Sequence, residues 1–184
     1  MKKYLMTSVI AACAVLSASA HSESLNNADH IAIRNGLLKV TRPSSDLDDE
    51  IITLNGIQLK LSEGVKGNPN TTFSYHFTTA DSDFVLLALS QNAEACPVQY
   101  SWMKIAKNSY GYTPVFGTCS DLAQVKVSGS KMIMTMRGYV PESTVNSGGM
   151  TQAEQSREEK KLHTYVFDTV TGKVTENGKE LKDN

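Results

Sequence analysis

The sequence predicts a mainly β protein: an antiparallel meander of hairpins forming a sandwich or strongly curled sheet, with one short charged helix in its C-terminal half. Short strand-like stretches recur from residue 51 onward, rich in β-branched and aromatic residues. Turn residues divide them, notably Asn55-Gly56, Ser128-Gly129-Ser130 and Asn177-Gly178. The segment that carries a helix-start signal has almost no apolar stripe, so helices cannot supply the core. About eight to ten strands are too many for one flat layer, which favours two packed faces.

The chain opens on Lys2 and Lys3, an apolar run over residues 4–16, and the small-residue stop Ala18-Ser19-Ala20. These are the three parts of a cleavable secretory signal peptide over residues 1–20, too short to span a bilayer permanently. Ile10-Ala11-Ala12-Cys13 has the form of a lipoprotein signal, in which Cys13 would be acylated and retained. That reading leaves an apolar core shorter than the roughly 7 residues export needs and puts an apolar stretch where a polar tether is usual, so cleavage is preferred. Membrane attachment is therefore expected only through a lipidated Cys13. The expected product is periplasmic or secreted, with a flexible polar lead at 21–30 and a single β-rich globular domain at 31–184. Its two remaining cysteines are Cys96 and Cys119.

The net charge is −1 over 184 residues and falls further once Lys2 and Lys3 leave. No basic field is present to hold nucleic acid or anionic lipid, so neither is an expected partner. An apolar share of 40% and a charged share of 20% describe an ordinary globular chain of one domain.

Residues 31–41 read as the first strand, and 42–50 as a loop. Its Asp46, Asp48, Asp49 and Glu50 lack the glycine-punctuated spacing of a calcium loop and read as solvated. Residues 51–61 form a hairpin, because Asn55-Gly56 supplies the positive backbone angles of a type I′ turn. Residues 72–79 alternate, placing Phe73, Tyr75 and Phe77 on one face and Ser74, His76 and Thr78 on the other. Asp81 and Ser82 turn the chain into 84–89, a continuous apolar run that reads as a central strand.

A hairpin turned at Lys107-Asn108 follows, and its simple register sets Cys96 directly opposite Cys119. Cross-strand neighbours lie close enough to bridge, so a disulfide is expected at the open end of this hairpin. The same register puts Val98, Tyr100, Trp102 and Val115 on the cysteine face, and Met103, Ile105, Tyr110, Tyr112 and Phe116 on the other. Both faces are apolar, so both are covered or one meets a partner.

A second hairpin, 122–127 with 131–137, sets Val127 against Met132, Val125 against Met134 and Ala123 against Met136, with Gly129-Ser130 at a type II′ turn. Residues 141–149 read as loop. Thr151 and Glu154 make a capping box for a surface helix running to about Leu162. A strand at 163–168 and a hairpin around Asn177-Gly178 close the chain.

Three functional readings differ in class. The preferred one is a non-enzymatic binding protein of the bacterial envelope, an accessory, inhibitor or immunity-type protein. It needs no cofactor and contacts another envelope or secreted protein through Tyr110, Tyr112, Trp102 and Phe116, the amphipathic aromatics of the hairpin. The second is copper binding: cleavage after Ala20 makes His21 the mature N-terminus, and Met132, Met134 and Met136 offer thioether ligands suited to Cu(I). The apolar partners of those methionines favour a core role instead. The third is a hydrolase without a recognisable motif, since no Gly-x-Ser-x-Gly, His-Glu-x-x-His, paired Cys-x-x-Cys or phosphate loop occurs. His76 and His163 read as solvent-facing, and Asp81 and Asp83 as turn caps.

Overall fold

A computed structural model describes residues 21–42, 50–66, 68, 70–90 and 94–182. The expected signal peptide with Cys13, and the acidic residues Asp46, Asp48 and Asp49, lie outside the described residues. The chain order is β1 (His21–Ala28), β2 (His30–Ile33), β3 (Gly36–Thr41), β4 (Ile51–Leu54), β5 (Ile57–Gln58), β6 (Asn70–Thr78) and β7 (Ser82–Ser90). There follow β8 (Val98–Ala106), β9 (Ser109–Tyr112), β10 (Gln124–Ser128), β11 (Lys131–Arg137), α1 (Glu142–Asn146), α2 (Gln152–Glu158), β12 (Leu162–Asp168), β13 (Val174–Glu176) and β14 (Lys179–Glu180). The strands exceed the expected number because the edge hairpins have arms as short as two residues.

Three antiparallel sheets form a sandwich that does not close into a barrel: β1-β6-β7-β8-β9, β10-β11-β12-β13-β14 and β2-β3-β4-β5. The first sheet is the middle layer, and its central strand β7 is buried on both faces. One face packs Phe84, Leu86 and Trp102 against Met132, Met134, Tyr165 and Phe167 of the C-terminal sheet. The other packs Phe73, Val85, Leu87 and Ile105 against Ile31, Leu38, Val40 and Ile52 of the N-terminal sheet. The continuous apolar run of β7 is thereby explained, since it is third of five strands and buried on both sides.

Turn chemistry follows the sequence closely. Asn55 and Gly56 have φ of 53° and 79°, and Asn177 and Gly178 have 48° and 86°. Gly129 has φ of 58° and opens the β10–β11 turn, where Val127 faces Met132 and Val125 faces Met134. Thr151 caps α2 by accepting the Glu154 N–H, while the Glu154 carboxylate accepts the Thr151 N–H.

Several expectations are corrected. Residues 21–28 are not a flexible lead: they form β1, paired with β6 along His21↔Thr78 to Ser24↔Tyr75. Its polar sequence hides it because its side chains gain little from burial and the ladder itself holds it. The stretch 31–41 is a hairpin, turned at Arg34-Asn35, rather than one strand. The Asn55 side chain makes that turn affordable, accepting the Leu37 N–H at 2.9 Å and donating to the Asn35 carbonyl at 2.8 Å. Residues 142–146 form α1 instead of loop. On β6 a bulge between Phe73 and Tyr75 sends Phe73 to one core and Phe77 to the other, so the three aromatics do not share a face.

The Cys96–Cys119 disulfide is present, with Cα atoms 4.7 Å apart. The hairpin obeys the expected register from Ala106↔Ser109 to Met103↔Tyr112 and then slips by one residue, because Tyr100 pairs with Phe116. Pro114 lies within the slip and has no N–H to give the ladder. One residue of slip exchanges faces, so Phe116 joins Trp102 in one core and Val115 packs on the other. The cysteines are consequently not directly opposed, and Cys119 reaches Cys96 from a left-handed φ of 69°. Closing a loop of 23 residues stabilises the fold by about 3 kcal/mol on the chain-entropy estimate. Cys96→Ser/Cys119→Ser is expected to lose roughly that much in urea unfolding, and dithiothreitol added to the wild type should reproduce the loss.

Candidate functional site

The β8–β9 hairpin carries the four aromatics selected from sequence, and the structure divides them. Trp102 and Phe116 are 1% and 4% exposed and belong to the core, so they cannot meet a partner directly. Trp102 stacks on Phe167 with ring centroids 5.8 Å apart and meets Tyr75 edge-on. Phe116 packs on Tyr165, centroids 5.1 Å apart. Their sequence neighbourhood is the same as that of the tyrosines; the difference is that the C-terminal sheet covers their face.

Tyr110 is 40% exposed at the hairpin tip, and Tyr112 is half-buried behind it. The two rings meet edge to face, 6.2 Å apart at 80°. The Tyr110 hydroxyl accepts the Lys60 N–H at 2.8 Å, which ties the tip to the chain just beyond β5. The Tyr112 hydroxyl is buried without a hydrogen-bond partner in the described structure, and burial pushes its pKa up. Gly111 lies between them with open space where a side chain would stand, bordering a groove of about 280 Å³ reaching Lys104, Phe167 and Gly172. Ile57, 72% exposed, lies on β5 three residues before Lys60 in sequence.

Met132, Met134 and Met136 are 0%, 0% and 1% exposed, packed with Phe167 and Tyr165. The proposed thioether string is a row of core residues, since alternate positions of β11 all face inward. Met136 Sδ accepts the Thr118 N–H at 3.2 Å. His21 begins β1 rather than a free end. Among the described residues no group of three or more His, Cys, Asp or Glu side chains is placed to hold a metal ion.

Two histidines are placed differently from expectation. His76 is 5% exposed, on β6 opposite Glu23 of β1. Its Nε2 lies 3.1 Å from Asp83 Oδ1 and 3.1 Å from Thr78 Oγ1, and its Nδ1 lies 3.4 Å from Glu23 Oε1. Asp83 is no turn cap. It sits fully buried in β7, accepting the Thr78 hydroxyl at 2.8 Å and the Arg34 N–H at 3.1 Å. The Arg34 guanidinium donates to the Thr79 and Ala80 carbonyls, so this network joins the N-terminal sheet to the β6–β7 turn. These bonds tie the β2–β3 hairpin to β6 and β7.

His163 borders a cleft of about 460 Å³ between β12 and the α1–α2 segment. Its Nδ1 is 2.8 Å from Glu176 Oε1, which also accepts the Tyr165 hydroxyl at 3.0 Å. Burial, and then the Glu176 charge, raises the Tyr165 pKa above the ordinary tyrosine range. These contacts hold β13 on β12.

No family model, no curated protein and no solved structure matches the chain. The disulfide fits a compartment outside the cytoplasm. Among the described residues no helix is long and apolar enough to cross a membrane.

Proposed function

We propose that the chain is an exported, non-enzymatic binding protein of the bacterial periplasm, an accessory, inhibitor or immunity-type protein that acts by contact with another envelope or secreted protein. The observation that supports it is the fixed Tyr110–Tyr112 pair. Tyr110 exposes its ring while its hydroxyl is already tied to Lys60, so little side-chain freedom is lost when a partner covers it. Such rigid, part-exposed tyrosines are the residue type that dominates protein contacts. The signal-like N-terminus and single disulfide support the compartment.

The test is capture from an envelope extract by the immobilised protein, followed by affinity measurement with each captured candidate. Tyr110→Ala is expected to weaken a true partner about tenfold or more, equivalent to about 1.4 kcal/mol, with circular dichroism showing the variant folded at the assay temperature. A partner bound equally well by Tyr110→Ala and Ile57→Ser would place the contact elsewhere and remove the support for this surface.

A further inference from the structure

The middle and C-terminal sheets splay apart where their edge strands, β1 and β10, face each other, leaving a cleft of about 630 Å³. That volume lies within the range of small-molecule sites. Tyr75, Leu86, Ala88 and Met134 lie at its apolar floor, and Asn26, Asn27, Thr72, Gln124 and Asp121 at its rim. Two irregularities coincide here. The β1 ladder breaks between Ser24 and Ala28, opposite the bulge between Phe73 and Tyr75 on β6. Three residues of β1 thus stand against Ser74 alone, and Asn27 adopts a left-handed φ of 49° that only glycine takes freely. Bulges re-aim side chains, and this one delivers two adjacent carboxamides to the mouth of the cleft.

The chemistry of the lining narrows the ligand. Two asparagines at hairpin turns use their side chains for structure: Asn55 accepts the Leu37 N–H and Asn177 the Thr164 N–H, each at 2.9 Å. In the cleft, the side chains of Asn26, Asn27, Thr72 and Gln124 make no hydrogen bond to another described residue. Each carboxamide offers both donors and an acceptor, matching hydroxyls that both give and take. Among the described residues no Lys, Arg or His lines the cleft, so none of them neutralises a phosphate or carboxylate there. The interrupted β1 edge lacks the continuous row of N–H and C=O groups that an added peptide strand requires. Rings that are apolar on their faces and hydroxylated at their edges satisfy both floor and rim.

We infer that this cleft is a binding site for a neutral saccharide, separate from the Tyr110 contact at the other end of the β8–β9 hairpin. The disulfide braces it, because Pro97 and Asp121 on its wall flank Cys96 and Cys119. The test is titration of the purified protein with three neutral series, N-acetylglucosamine oligomers, malto-oligosaccharides and cello-oligosaccharides, followed by NMR shift mapping and calorimetry. At least one series is expected to saturate at about millimolar concentration or tighter, shifting resonances of residues 24–27 and 121–125. Asn26→Ala and Gln124→Ala, both at exposed positions, should weaken binding about tenfold while Tyr110→Ala leaves it unchanged. Absence of saturable binding by all three series overturns the inference, as does binding indifferent to those two substitutions. A galacturonate oligomer bound as tightly as the neutral series, or an extended peptide giving the same footprint in their place, overturns it too.

Discussion

Trp102→Ala is expected to destabilise the protein by about 3–5 kcal/mol, the range for removing a large buried aromatic. Its 1% exposure means the surroundings must close a cavity on all sides, and its neighbours cannot follow easily. Phe167 stacks on one face of the indole and Tyr75 meets it edge-on, and each is fixed by its own strand. The site also joins two sheets, so the lost contacts are those that hold the C-terminal sheet to the middle one. Trp102→Phe should lose clearly less, since a ring still contacts Phe167. Trp102 is the sole tryptophan, so wild-type fluorescence reports this interface directly. Variants are to be compared by circular dichroism in urea. A loss below about 1 kcal/mol for Trp102→Ala would show that the two sheets are not coupled through this residue.

Asp83→Ala belongs in the same range, about 3–5 kcal/mol, for a different reason. The carboxylate is fully buried and receives the Thr78 hydroxyl and the Arg34 N–H while facing His76 Nε2. Removing it leaves those polar groups buried without their partner, and the cost of stripping them of water is no longer offset. Asp83→Asn keeps the shape and one acceptor oxygen and should recover part of the loss. Denaturant midpoints at constant m-value measure both. Equal stability of Asp83→Ala and wild type would mean that water replaces the carboxylate at this site.

Local chemistry was the most legible part of the chain. Asn55-Gly56, Asn177-Gly178, Gly129 and the Thr151/Glu154 box depend on a few adjacent residues, and each forms as read. The central position of β7 was legible because burial on two faces leaves a continuous apolar run. What escaped was whatever depends on distant strands. Nothing in His-Ser-Glu-Ser-Leu-Asn-Asn-Ala announces a strand, and without β1 neither the Glu23 contact to His76 nor the cleft beside it can be foreseen.

The hairpin shows the same boundary at finer scale. Its tip register is set by two residues and was correct, whereas the slip near Pro114 depends on which core will receive Phe116. Of the site, Tyr110 was identifiable because a tip resists burial, but the burial of Trp102 and Phe116 required knowing that a second sheet would cover them. The paired bulges that shape the cleft leave no sequence signature beyond two asparagines.

The route of the chain through the sheets bears on the order of assembly. β1 and β6 are neighbours in the middle sheet, yet all of β2–β5 lies between them in sequence. Those four strands pair only with strands adjacent in sequence, so they can form as a local unit. Once formed, that unit replaces a long loose loop by a compact one, which lowers the entropic cost of joining β1 to β6. β1 therefore joins the middle sheet through contacts distant in sequence, and with it comes the Glu23 contact to His76.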